Sequence, residues 1–416
     1  MCIRDRIVLL TGAGASVPLG LFTTAQFLAD FRESDYRRLS ADPDVTRVLN
    51  WILQEAKENN FDVEDLLDLL VRRRGAIDQL LLDGMFVRDV VGNVQRADMV
   101  AYGAILGRLV DSITDKVIDH YSSIDVERAG ALYRPLFREF RSWFQRLPDL
   151  GQTLPFFTLN YDIAVEAAAR QLSEPRSQTE SMSESLPIRL VDGLVEGRDA
   201  VERRWTRGAF ETYVENPDHL GVVLVKLHGS VRWGRRRMPN GRNAIVELTP
   251  GVPRNPGPFE TAVLYPTLAP KPVELEPFRT GYRLLRACLR RTHLLIVIGT
   301  TLRDAEVVSE LRDAIEDNED LHVVWVGPHV EHKTLLERIG GGAERLAALQ
   351  VAFEVPRSQI ESSHPGGLLP NQWLMGCLRK LAWEAYRVEQ VAGGPYFGKT
   401  LVCDRMAGLG RAAAPG

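Results

Sequence analysis

The chain has 416 residues, 45% of them hydrophobic and 25% charged, a composition that supports a large folded core. With 51 Lys and Arg against 55 Asp and Glu the net charge is -4, so no overall attraction to nucleic acid or anionic membrane is indicated. No run has the length and apolarity of a membrane span and no secretory signal pattern opens the chain, so a cytoplasmic protein without a membrane partner is expected. Cys2, Cys288, Cys377 and Cys403 are scattered, which indicates neither a zinc cluster nor a disulfide framework.

In chain order, Ile7 to Leu10 reads as a buried strand that runs into Thr11-Gly12-Ala13-Gly14-Ala15-Ser16. A helix is expected next, with Ser16 as its N-cap and Pro18 early in its first turn, followed by a further helix around Phe27, Leu28 and Phe31. From about 40 to 147 the apolar spacing is mostly helical, as in Phe61 to Val71 and in Leu136, Phe137, Phe140, Trp143, Phe144 and Leu147. This stretch interrupts the alternation of strand and helix and reads as an inserted module. Leu154 to Phe157 is a strand ending in Thr158-Leu159-Asn160-Tyr161-Asp162, with a helix beyond it to about Leu172 and a Ser/Glu-rich loop over Ser173 to Ser185. Val222 to Val225 leads to Lys226-Leu227-His228-Gly229-Ser230, and Asn240-Gly241 marks a hairpin between Val231-Arg232-Trp233 and Ala244-Ile245-Val246. After that come a strand at Ala262 to Tyr265, a helix over about 280–291 and strand Leu294 to Ile298 with Gly299-Thr300-Thr301-Leu302-Arg303-Asp304. A helix from about 304, strand His322 to Val326, a helix from Gln372 to Val388 and a Gly/Ala-rich disordered end complete the pass.

The expected fold class is α/β, a Rossmann-like parallel sheet flanked by helices, with an inserted helical module and a C-terminal helical tail. The expected domains are 1–39 with 150–355 for the sheet, 40–149 for the module, and 356–416 for the tail.

Four short motifs therefore each follow an apolar strand. In open parallel sheets ligands bind in the crevice outside the carboxyl ends of the strands. If the four strands are neighbours, one crevice receives a glycine turn, an Asn/Asp pair, a His and two Thr hydroxyls. Each motif also has a plain structural reading. Gly12, Gly14 and Ser16 are an incomplete dinucleotide fingerprint, since Val17 stands at the third Gly position, and a tight strand–helix turn would need similar residues. No Walker lysine follows, which argues against a P-loop ATPase. Asp162 taken alone is better read as a helix cap, whereas Asn160 exceeds what one cap requires. A lone His after a strand is more often structural, yet His228 is the one acid–base group of neutral range in the four motifs. Gly299, Thr300, Thr301 and Asp304 could cap the next helix or hold phosphate and ribose. Arg235, Arg236 and Arg237 read as a solvated loop tip. His329 and His332, with no third ligand near them in sequence, make a poor metal site.

In order and spacing the four motifs resemble the sirtuin superfamily, in particular the bacterial sirtuin-like domains of anti-phage defence proteins. The resemblance spans roughly residues 7 to 330, and Asp62 to Leu67, Tyr265-Pro266-Thr267 and Lys271 also fit that branch. It implies NAD as substrate, with Gly12, Ala13, Gly14 and Ser16 at the pyrophosphate and Gly299, Thr300 and Thr301 at phosphate and the adenosine-side ribose. By the same resemblance Asn160 would hold the nicotinamide ribose and the reacting water, Asp162 would order that pocket, and His228 would face the ribose hydroxyls as general base or polarising group. Protein-deacylating sirtuins usually carry two Cys pairs holding zinc between the His and Gly-Thr motifs, but that interval here contains only Cys288. Their Pro-Asp-Phe-Arg signature is replaced by Phe22-Thr23-Thr24-Ala25, and Leu159 stands where Gln is usual. The expectation is therefore an NAD glycohydrolase without zinc, yielding ADP-ribose and nicotinamide as a regulated effector of abortive infection. A homo-oligomer is expected, sometimes with a partner ATPase or a phage-derived trigger. The alternatives are a non-catalytic NAD or ADP-ribose sensor or scaffold and, third, an NAD-dependent protein deacylase.

Overall fold

The computed structural model describes residues 7–23, 26–27, 42–59, 61, 63–82, 96–146, 152–173, 187–196, 203–216, 218–238, 241, 243–247, 259–263, 275–351, 353, 374–380 and 399–402. In chain order the elements are β1 (Ile7–Thr11), α1 (Pro43–Glu58), α2 (Val63–Leu82), α3 (Arg96–Ser122), α4 (Val126–Arg146), β2 (Thr153–Thr158) and α5 (Ala164–Ser173). Next are β3 (Ile188–Val191), β4 (Leu194–Glu196), β5 (Arg203–Trp205), α6 (Gly208–Glu211), β6 (Leu220–Lys226), β7 (Gly229–Arg237), β8 (Asn243–Glu247) and β9 (Phe259–Val263). The chain continues with α7 (Phe278–Leu289), β10 (Leu294–Ile298), α8 (Ala305–Asp317), β11 (His322–Gly327), α9 (His332–Ile339), β12 (Leu346–Gln350) and β13 (Lys399–Val402).

Two compact units form. The first comprises 1–20, 124–263 and 273–416, and the second 21–123 and 264–272. In the first unit an eight-stranded sheet runs in the order β13-β12-β11-β10-β1-β2-β6-β3, with parallel pairing throughout. Continuous apolar strands such as Leu294 to Ile298 need cover on both faces, as parallel sheets do. On one face Leu10, Phe157, Val225 and Val297 pack with Tyr282, Leu285, Val307 and Leu311 of α7 and α8. On the other, Phe156 meets the rings of Tyr133 and Phe137 from α4. The expected α/β class, a parallel sheet between helices, is what forms.

Helix α4 packs along α5 and belongs to the sheet unit rather than to the helices before it, so the compact helical unit ends at Ser123, before the 149 read from periodicity. Helical spacing marks an apolar face without saying what covers it. The strand expected at Ala262 to Tyr265 is β9, ending at Val263, and it lies in a second, antiparallel sheet of order β4-β5-β8-β7-β9. The hairpin of β7 and β8 forms as expected, with Gly241 at φ 78°. Strand β13 adds an edge within the segment expected to be a disordered tail.

The second unit holds α1, α2 and α3, on which Leu49, Ile52, Leu66, Leu70, Leu106 and Leu109 are buried. Arg73 on α2 pairs with both carboxylate oxygens of Glu55 on α1 at 2.8 and 2.7 Å and lies over the Trp51 ring. The expected helix through Leu28 and Phe31, most of the Ser/Glu-rich loop, Tyr265-Pro266-Thr267 and Lys271 lie outside the described residues, as does the tail helix apart from a helical stretch at 374–380. Among the described residues no helix is long and apolar enough to cross a membrane.

Candidate functional site

The four motif strands are consecutive neighbours, β10-β1-β2-β6, at the centre of the sheet. Their registers align Ile298 with Thr11, Thr11 with Thr158, and Thr158 with Lys226. All four strands therefore end on one row, and every motif begins at the same level of the carboxyl edge. Three strand spacings make that row about 14 Å long.

The row is stitched by backbone and hydroxyl bonds. Gly12 N donates to Ile298 O at 2.9 Å, Leu159 N to Thr11 O at 2.9 Å, and Leu227 N to Thr158 O at 2.9 Å. The Thr11 hydroxyl donates to Thr158 Oγ1 at 2.9 Å, which also accepts from Asn160 N at 3.1 Å. Asn160 Nδ2 then donates to Ser16 Oγ at 3.0 Å across 144 residues of sequence. Asn160 is 7% exposed, and its Oδ1 is a buried acceptor with no hydrogen-bond partner among the described residues. An unmet buried acceptor costs on the order of 1–3 kcal/mol, so its retention points to a ligand hydroxyl or water there.

Ser16 is not the cap of an α-helix. Ala13–Ala15 and Val17–Leu19 form two short 3-10 turns, the Ser16 side chain makes no cap bond, and Gly20 at φ 84° ends the run. Its hydroxyl goes to Asn160 instead. The glycines likewise answer to a protein contact. A Cβ on Gly14 would lie 2.8 Å from Gly299 O, one on Gly12 2.6 Å from Thr300 Cβ, and one on Gly299, at φ 67°, 2.1 Å from Ala15 N. The loops after β1 and β10 pass at backbone contact, with Gly14 N donating to Gly299 O at 2.7 Å. Glycine is required there with or without a phosphate, while Ala13 and Gly14 stay partly exposed at the row.

Thr300 Oγ1 accepts from Leu302 N at 3.1 Å and Thr300 O from Trp325 Nε1 at 2.8 Å, which fixes the turn, and Thr301 is exposed. The turn delivers Asp304. Its Oδ1 caps α8 by accepting from Val307 N at 2.9 Å, while Oδ2 lies 2.8 Å from His228 Nε2, both side chains being almost fully buried. The Tyr161 ring stands 6.2 Å from the imidazole, and Val231 N donates to Tyr161 O at 3.0 Å. His228 is thus adjacent to the Asn160 turn. On the α7 side, burial pushes the Tyr282 phenol well above its ordinary range, and the Asp304 carboxylate adds to that.

Asp162 plays the local part. Its Oδ1 accepts from Ala164 N at 2.9 Å at the start of α5. Beneath it, Lys226 Nζ donates to the Asp162 carbonyl and to Glu166 Oε1 at 2.9 Å. Burial raises the Glu166 carboxyl, with Lys226 opposing, and burial likewise raises the Tyr133 phenol well above its usual value. Lys226, Glu166 and the Asp304–His228 pairing escaped the sequence analysis. The signal for Lys226 was visible: a Lys ending the otherwise apolar, central run Val222 to Val225 must find a buried partner.

Among the described residues no group of three His, Cys, Asp or Glu could hold a metal ion. No protein-family model and no curated protein matches the chain. Among solved structures, a Sir2 homologue–NAD complex is similar at 14% identity and TM-score 0.36, covering 93% of this chain and 92% of that one. A mutant Sir2 homologue with 2'-O-acetyl ADP ribose follows at 15% and 0.36, covering 94% and 96%, and a Sir2 bound to acetylated peptide at 10% and 0.32, covering 90% and 92%.

Proposed function

We propose that the carboxyl edge of β10-β1-β2-β6 binds NAD and hydrolyses its nicotinamide N-glycosidic bond. The observation that carries this reading is the meeting of two pairs on one row: Asn160 with Ser16, leaving a buried open acceptor, and His228 with Asp304. Support for NAD in particular comes from the order of the four motifs in sequence.

The chemistry fits these groups. Nicotinamide in NAD is a cationic leaving group, so the N-glycosidic bond breaks with its electron pair going to the ring nitrogen and no acid is needed. Water forms the new bond to the ribose carbon and gives up a proton. Asn160 Oδ1 orients that water or a ribose hydroxyl, and the imidazole takes the proton. Asp304 on Nε2 holds the neutral ring in one tautomer, making Nδ1 the basic nitrogen, and compensates the positive charge as it forms. Ala13, Gly14 and Ser16 on one side, with Thr300 and Thr301 on the other, line the row where a pyrophosphate would lie. Homo-oligomeric regulation, a partner ATPase, and a role in anti-phage defence by NAD depletion rest on the motif resemblance alone.

The test is nicotinamide release by the purified chain supplied with NAD. Asn160→Ala should lower kcat by about 10²–10³-fold and His228→Ala by about 10²–10⁴-fold, with circular dichroism unchanged. Undiminished turnover in both variants removes this site. Turnover that appears only with an acylated peptide would instead favour a deacylase.

A further inference from the structure

The turn 159–163 carries Asn160 but belongs to neither β2 nor α5, so a few bonds fix its orientation. Leu159 N is tied to Thr11 O, Tyr161 O to Val231 N, and the Asp162 carboxylate to Ala164 N. Asn160 is held through its N to Thr158 Oγ1 and its Nδ2 to Ser16 Oγ, and a further hold is on the Asp162 carbonyl, which accepts from Lys226 Nζ. The Lys226 side chain is 2% exposed, and Glu166 Oε1, 2.9 Å away, is its carboxylate partner. Glu166 Oε2 is itself buried and has no partner among the described residues. A buried ion pair of this kind adds little net stability, and an apolar residue of similar volume serves a fold as well or better. Stability therefore does not account for a lysine at the end of a central apolar strand.

We propose that Lys226 is a positioning residue, its ammonium held by Glu166 and clamping the Asp162 carbonyl so that the turn presents Asn160 to the row. The catalytic consequence rests on the NAD-hydrolase reading; the mechanical one does not. Lys226 acts through the backbone of the turn and touches no reacting atom. Without it the turn keeps the bonds of residues 159–161 but loses the one on the Asp162 carbonyl, which steadies the end of the turn that follows Asn160. A displacement of about 1 Å in a reacting geometry costs up to about 10²-fold in rate.

The test uses the full chain and the variants Lys226→Met and Glu166→Gln, with three readouts. Hydrogen-exchange mass spectrometry follows peptides covering 159–164 and 220–226, nicotinamide release gives kcat and KM, and thermal denaturation gives Tm. For Lys226→Met, exchange should rise about tenfold in 159–164 and stay level in 220–226, with Tm lowered because Glu166 loses its cation and the Asp162 carbonyl its donor. Its kcat should fall about 10–100-fold while KM for NAD stays within about twofold. Glu166→Gln should change both in the same direction, less strongly. Unchanged exchange at 159–164 in folded Lys226→Met, or an unchanged kcat, overturns the proposal. If Lys226→Met does not fold, Glu166→Gln decides by the same readouts, and failure of both to fold assigns the pair to stability and overturns it too. A parent chain that releases no nicotinamide refutes the NAD-hydrolase reading alone, and the exchange arm still decides whether Lys226 fixes the turn.

Discussion

Asp304 serves two masters with its two oxygens, and that division makes its role testable. Oδ1 accepts from Val307 N to start α8, and Oδ2 holds His228 Nε2. Asp304→Asn keeps an oxygen for the cap while presenting an amide donor to the imidazole, which forces the opposite tautomer. The expected outcome is an unchanged Tm with kcat for nicotinamide release lowered by on the order of 10²-fold or more. Equal loss of stability and rate would reduce Asp304 to a cap. At the same scale Gly12, Gly14 and Gly299 carry two readings. They read as room for a phosphate, yet each is already required by the contact between two protein loops, where a left-handed backbone at Gly299 alone costs a side chain about 1–3 kcal/mol. Asn160 was the more telling residue, because a turn with one cap at Asp162 has no structural need for a second buried amide beside it.

At the scale of elements, the parallel register levels four strand ends and so makes one row out of four motifs. Strand β11, one place further out, shows how closely the sheet is buried even at its amino ends. His322 opens it, 5% exposed, with Nδ1 against Asp320 O at 2.9 Å. Burial holds its pKa below the ordinary 6.5, and Arg345 and His293 nearby also oppose its charge. The folded state thus refuses a proton that the unfolded chain accepts. Stability from this group is complete above the unfolded value near 6.5 and is lost as pH falls from there toward the lower folded pKa. His322→Phe should flatten that dependence. Urea denaturation at about pH 7.5 and about pH 5 should give a smaller difference for the variant than for the parent; equal differences would mean that His322 does not report acid sensitivity.

For the whole molecule, control of the proposed activity by assembly, which rests on the motif resemblance, has a direct test. Sedimentation velocity and nicotinamide release measured over the same concentration range should show turnover per chain rising with the assembled fraction. A specific activity that stays flat across the assembly transition would exclude that control. Periodicity placed the edge of the helical module at 149, beyond α4. That helix is amphipathic whichever partner it has, and only its Tyr133 and Phe137 rings against Phe156 decide that it covers the sheet.

The sequence by itself determined the α/β class, the strands that carry the motifs, and the short list of polar residues beyond them, since continuous apolar runs ending in Gly, Asn or His are local signals. It also placed the β7–β8 hairpin from a turn dipeptide. Only the tertiary structure decided that the four strands lie side by side, that Ser16 serves Asn160 rather than a helix, and that His228 owes its partner to Asp304. Those facts depend on strand order and on contacts between residues as much as 287 positions apart, as for Thr11 and Ile298. A local pattern can announce that a side chain is polar and buried, but which neighbour meets it is settled by the packing of distant segments.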